Sequence, residues 1–244
     1  MPDPTAEAQE TFSPFDGLAV RIGLASKKNV TVDYSLPPEQ IRAGEKSLLT
    51  AINGIEPRNI VMLNQVHGND IVRISSYPDR DTPFYADADG MITPLAGLCL
   101  VIRTADCVPV FLYDRRLSLL GAAHAGWRGC RLDITGALCA AMSADYGSRA
   151  GDLYAYILPS IGPDSYVVNT DVSAHFPEDT RRRDGRLYLD LWGVIKRSLA
   201  KSGVPGNRVF LAGRCTVLRN GEYFSHRMGD AGRNLNYGYI SPSP

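Results

Sequence analysis

The chain has 244 residues, 44% of them hydrophobic, which suffices for one large or two small domains with a substantial core. Its 26 Lys and Arg residues balance 26 Asp and Glu, so the basic excess with which proteins neutralise nucleic-acid phosphate is absent. No apolar run approaches the roughly 18 residues of a membrane span.

The N-terminal MPDPTAEAQETF lacks the basic and apolar blocks of a signal peptide. Residues 1–12 are expected to form a flexible tail ahead of a single domain over residues 13–244. VRIGLAS (20–26) and NIVMLNQVHG (59–68) carry strand patterns, with the helical pattern PPEQIRAGEKSLLTAIN (37–53) between them. GLCLVIRTADCVPVFLYD (97–114) reads as two apolar strands interrupted by the polar knot Thr104-Ala105-Asp106-Cys107, and LSLLGAAHAG (117–126) as a further buried strand. Beyond Gly129, a helical stripe runs through Ile134, Leu138, Met142 and Tyr146. LYAYILP (153–159) is a strand, EDTRRRDGR a solvated basic loop, DLWGVIKRSLAKSG (190–203) a helix closed by Gly203, and RVFLAG (208–213) the last core strand. The remainder, with Tyr223 to Arg227 and Gly232-Arg233, is Gly-rich and loop-like; it either closes over a pocket or is a solvated end. Strands without strict βαβ alternation predict an α+β fold, a sandwich of two sheets flanked by helices. No G-x-G-x-x-G or P-loop follows a strand, so dinucleotide and nucleoside-triphosphate sites have no support.

The five cysteines are odd in number and form no C-x-x-C pair, which points to reduced thiols in a cytoplasmic protein. Of the four histidines, His67 in QVHG and His124 in AAHAG end apparent strands beside small residues, as does Cys107 beside Asp106. A His₂Cys set with an open fourth position is the pattern of a catalytic zinc, three protein ligands leaving room for water or substrate. The same residues serve equally for a pair of buried histidines with a core cysteine, or for a Cys107–His124 nucleophile and base oriented by Asp106 or a backbone group. With a weak axial methionine they also make a copper site, although a multicopper centre needs many more histidines than four. Zinc deaminases of the H-x-E…P-C-x-x-C type are excluded, since neither element occurs. Arg128 stands just before a helix expected to begin near Cys130, where free N–H groups and a guanidinium suit an anion. Trp127 either walls a pocket or fills the core, and His175 reads as a surface-loop histidine.

NQVHGNDI (64–71), DADGMIT (87–93), TADCVPVFLYD (104–114), GAAHAGWRG (121–129), PSIGPDSYVV (159–168) and the terminal FSHR…GR together resemble the YfiH family, often filed as a laccase-like or polyphenol oxidoreductase domain. That resemblance implies a single-domain α/β/β/α sandwich with mixed sheets, related in fold to a cytotoxic-factor deamidase. It implies a zinc ion on His67, Cys107 and His124, copper being the alternative. The activities implied are phosphorolysis of adenosine, inosine, guanosine and methylthioadenosine, and deamination of adenosine. The alternatives are a copper-dependent phenol oxidation and a Cys-His hydrolase. Cys107, His124 and Asp106 are then the candidate catalytic groups, and Gln65, Arg128, Ser225 and Arg227 the candidate substrate or phosphate ligands. The expected partners are a purine nucleoside and phosphate, with no nucleic acid and no membrane. The chain departs from the family pattern at Asp164, Ser165 and Val167, where many members carry cysteines and a glutamate.

Overall fold

A computed structural model of the chain describes residues 10–78 and 86–241. The first elements are β1 (Glu10–Thr11), β2 (Val20–Ala25), α1 (Pro38–Asn53), β3 (Ile60–Met62), β4 (Ile71–Arg73) and β5 (Gly90–Thr93). The central run is β6 (Cys99–Thr104), β7 (Val108–Asp114), β8 (Leu119–Ala125), α2 (Trp127–Arg131), α3 (Ile134–Tyr146) and β9 (Leu153–Ile157). There follow β10 (Val167–Val168), α4 (Thr170–Ser173), β11 (Thr180–Arg183), β12 (Arg186–Leu189), α5 (Leu191–Lys201), β13 (Val209–Leu211) and β14 (Asn234–Ile240).

One mixed sheet has the order β1-β2-β14-β6-β3 and a second the order β13-β9-β7-β8-β5-β4; a small third sheet, β10-β12-β11, stands apart. Strand alternation sends successive side chains to opposite faces. In β7 and β8 this directs Phe111, Tyr113, Leu120 and Ala122 toward Leu24, Leu100 and Ile102 of the five-stranded sheet, forming the middle layer. The other face, with Val110, Leu112, Ala123 and Ala125, receives Leu138 and Met142 of α3 and Ile195 and Leu199 of α5. On the outer side of the five-stranded sheet, Leu49 of α1 packs on Ile60, Met62, Val101 and Leu235. The result is the expected α/β/β/α sandwich. Each fully buried aliphatic side chain in it contributes about 1.5–3 kcal/mol against exposure.

Helix boundaries follow local chemistry. Pro38 opens α1, and Gly54 closes it in the left-handed region (φ 67°), its N–H reaching the Thr50 carbonyl at 2.8 Å. Asp190 caps α5 by accepting from the Gly193 N–H at 2.9 Å.

Four expectations are corrected. The tail does not extend to residue 12: β1 pairs with β2, and Phe12 is buried in the middle layer. Residues 1–9 lie outside the described residues. The basic segment is the β11–β12 hairpin, whose two-residue turn uses Asp184 (φ 50°) and Gly185 (φ 74°), the left-handed pair that matches strand twist. The helix expected near Cys130 starts earlier, as the short α2 at Trp127, so Arg128 lies inside it. Finally, the last core strand is β14 rather than the 208–213 segment, and it sits in the centre of its sheet between β2 and β6. Asn236 masked it: this polar residue is fully buried because its amide donates to the Ile102 carbonyl and the Thr104 hydroxyl, both at 3.0 Å. The described residues include no helix long and apolar enough to cross a membrane.

Candidate metal centre

Cys107 immediately precedes β7 and His124 lies near the end of β8, where the register pairs Pro109 with His124 and Val108 with Ala125. By alternation both belong to the face turned toward the five-stranded sheet. Ala123 and Ala125, the small neighbours of His124, belong to the opposite face and pack against the helices. His67 is not on a strand, since β3 ends at Met62; it occupies the loop before β4 with φ 63°, a conformation that non-glycine residues rarely adopt. Together His67, Cys107 and His124 place their ligand atoms within 4.8 Å of one another, and they are the group of this kind found among the described residues. The two imidazoles meet edge to face, with centroids 4.8 Å apart. Gly126 permits the cluster, because a Cβ there would stand 3.0 Å from the Cys107 Sγ and 3.2 Å from the His67 ring.

The organising group is Asp89, a fully buried carboxylate supplied by the DADG segment. One oxygen lies 2.7 Å from the His124 Nδ1, which leaves Nε2 for a ligand. The other accepts the N–H groups of Val66 at 3.1 Å and Gly68 at 2.6 Å, fixing the loop that carries His67. Burial opposes ionisation of Asp89, but the hydrogen bonds from His124 and Gly68 hold its carboxyl below the usual range. Burial also opposes the Cys107 thiolate, yet His124 and then His67 outweigh it and bring the thiol down to about 6. Conversely, Cys107 and Asp89 overcome burial at His124 and raise it to about 9. Two imidazoles and a thiolate, with the buried histidine oriented by a carboxylate, fit zinc.

Asp106 has a different position from the one expected. Its backbone lies at φ 90°, and its carboxylate accepts the Thr216 hydroxyl at 2.6 Å and the Arg227 N–H at 2.8 Å. Both oxygens are thus engaged in tying C-terminal loops beside Cys107. Ser225 is buried and accepts the Met228 N–H at 3.3 Å, capping a short turn. The Arg227 guanidinium covers the Tyr166 ring at 5.0 Å. Arg128 is exposed and stacks 4.9 Å over Trp127, which also packs against the helix-side core and stacks with His175, ring centroids 6.5 Å apart.

His67, Cys107 and His124 open onto a cavity of about 370 Å³, also walled by Arg103, His226 and Arg233. Gln65 lines it too, but its amide clamps the Arg103 backbone, donating to the carbonyl at 2.8 Å and accepting the N–H at 2.9 Å. Arg128, Ser225 and Arg227 are not among the lining residues. The C-terminal segment therefore reaches the cavity through His226 and Arg233. Sequence reasoning missed Asp89, Arg103 and Glu45, a buried partner of Arg103; only the DADG motif gave any signal of the first.

An α/β/β/α domain with a His–Cys–His group at the wall of a cavity is a scaffold able to hold a metal ion next to a small molecule. The chain belongs to the family described as multi-copper polyphenol oxidoreductase laccase, which matches residues 21–241. It is 32% identical over 226 residues to a purine nucleoside phosphorylase of Xylella fastidiosa, covering 89% of this chain and 82% of that one. It is 31% identical over 201 residues to the purine nucleoside phosphorylase YfiH of Escherichia coli, covering 78% and 76%. The structure of YlmD from Geobacillus stearothermophilus superposes with a TM-score of 0.84 at 27% identity, over 95% of this chain and 94% of that one. The resemblance to the YfiH family read from the motifs therefore holds.

Proposed function

We propose that the protein is a zinc-dependent purine nucleoside phosphorylase acting on adenosine, inosine, guanosine and methylthioadenosine, with adenosine deaminase activity. The observation that carries this reading is the cavity itself. A His₂Cys set with a carboxylate-oriented histidine opens onto the same cavity as two arginines, which suit a phosphate anion beside a neutral nucleoside. The names of the relatives point the same way. His67, Cys107 and His124 hold the metal, and zinc supplies a Lewis acid there when bound. Asp89 orients His124, and Asp106 fixes the backbone that presents Cys107. In phosphorolysis a phosphate oxygen bonds to C1′ as the C1′–N9 bond breaks; the electron pair and the phosphate proton pass to the base, leaving ribose 1-phosphate. Deamination in the same cavity adds water oxygen at C6 and releases ammonia. Copper fits the same donors, but type 1 and trinuclear coppers together need more histidines than the four in the chain.

A second reading has its own observation. Without metal, Cys107, His124 and Asp89 form a nucleophile, a base and an orienting carboxylate, with Cys107 lowered to about 6. That geometry supports a Cys-His hydrolase.

Chromatography of adenosine incubated with zinc-loaded protein separates these readings. Adenine that forms only with phosphate supports phosphorolysis, and inosine formed without it supports deamination. Unchanged adenosine, with amide cleavage by metal-stripped protein, supports the hydrolase.

A further inference from the structure

The cavity holds more positive charge than metal ligation explains. Arg103, Arg233 and His226 line it; among the described residues no Asp or Glu does, and the lining group able to carry negative charge is Cys107. The register brings the two arginines to the same end of the β6–β14 pair: Arg103 of β6 faces Leu235 of β14, two residues beyond Arg233.

Both guanidinium groups are anchored, and neither is used up. The Arg103 Nε donates to Glu45, at 3.0 Å from Oε1 and 2.8 Å from Oε2, while Gln65 fixes its backbone. Its Nη1 and Nη2 make no hydrogen bond to the described residues, so one edge of the fork is held and the other left open. Glu45 is fully buried in α1 and also pairs with Arg42 at 3.4 Å. The Tyr34 hydroxyl stands 3.1 Å from Glu45 and 3.3 Å from the Arg233 carbonyl, linking the two arms. Arg233 spends Nη1 on the carbonyls of Ala231 at 2.7 Å and Gly232 at 2.8 Å, leaving Nε and Nη2. A buried carboxylate shared by two arginines is a poor source of stability, because desolvation offsets the attraction. Its evident effect here is to hold Arg103 rigid at the cavity wall.

We propose that Arg103 and Arg233, with His226 beside them, form an oxyanion subsite that takes orthophosphate next to the His67–Cys107–His124 group. This rests on the phosphorolysis reading and replaces Arg128 and Arg227 as the phosphate ligands. The open guanidinium edges match phosphate oxygens in charge and geometry. The positions of Arg103 and Arg233 account for phosphate recognition without α2.

The test has a binding arm and a kinetic arm. Orthophosphate and AMP are titrated separately into zinc-loaded protein by calorimetry without nucleoside, and phosphorolysis is then measured with each substrate varied. Arg233→Gln is expected to weaken orthophosphate binding and raise its KM by about ten- to a hundred-fold, with the adenosine KM changed far less. Arg103→Gln strands Glu45, so the paired Arg103→Gln/Glu45→Gln protein is measured with it, and the same loss is expected. Phosphorolysis with wild-type phosphate affinity in these variants overturns the subsite and leaves the activity standing. So does phosphate affinity lost in Arg128→Gln instead. AMP binding with orthophosphate silent also overturns it, since the phosphoryl group then belongs to a nucleotide. Arginine-dependent phosphate binding without any phosphorolysis supports the subsite and removes the proposed activity.

Discussion

At His124, the nitrogen that faces the cavity is chosen by the partner of the other one. Asp89 accepts from Nδ1, which commits Nε2 to the ligand cluster. Asp89→Asn removes that charge and is expected to weaken zinc binding about 10- to 100-fold in competition with a chelating indicator. An unchanged zinc affinity would show that the carboxylate serves only the loop of Val66 and Gly68. Gly126→Ala puts a methyl 3.0 Å from the Cys107 sulfur, so it should lower zinc affinity while the metal-free fold melts near the wild-type temperature. The thiol gives a pH signature. Cys107 loses its proton near 6 in the metal-free protein, and burial pushes Cys99, Cys130 and Cys139 upward instead. Iodoacetamide followed by mass spectrometry should therefore label Cys107 rapidly at neutral pH. The rate should fall as pH drops through about 6, where the thiolate is reprotonated. His124→Ala should move that midpoint up toward the ordinary thiol value of about 8.5.

At the scale of elements, what the sequence makes legible is what local periodicity encodes. Alternation through VPVFLYD and LLGAAHA places Cys107 and His124 on one face, and the proline and glycine that bound α1 mark its ends. What it hides depends on partners far along the chain. Asp89 is 35 residues from His124 and Glu45 is 58 from Arg103; the DADG motif alone hints at the first, and nothing around Glu45 marks it as buried. β14 was hidden in the same way, since Asn236 reads as a loop residue until β6 supplies its hydrogen-bond partners. Arg128 was drawn to a phosphate role by a helix start that the structure places elsewhere. Glu45→Ala leaves two arginines without their buried carboxylate and should cost about 3–5 kcal/mol in urea denaturation. By contrast, Gly185→Ala burdens only a hairpin turn outside the cavity. It should cost about 1–2 kcal/mol with zinc content unchanged.

For the whole molecule, the ligand group joins β7, β8 and the loop that leads from the five-stranded sheet into β4. A metal held there binds the native state and not the unfolded chain, so zinc at a hundred times its Kd should add about 2.7 kcal/mol of stability. The thermal midpoint should rise with zinc and fall with chelator, and neither change should appear in His124→Ala. The sandwich thus brings together residues that are distant in sequence, so that the His67–Cys107–His124 group and the two arginines line one cavity. The phosphorolysis proposed above takes place in this cavity and depends on the metal. The most direct measurement pairs elemental analysis with product chromatography for the wild-type protein and His124→Ala, each incubated with adenosine in the presence and absence of phosphate. Bound zinc is expected, with adenine and ribose 1-phosphate formed only when phosphate is present, and with metal and products lost together in the variant. Adenine released by a metal-free His124→Ala protein, or adenosine left intact by zinc-loaded wild type, would contradict a metal-dependent phosphorolysis.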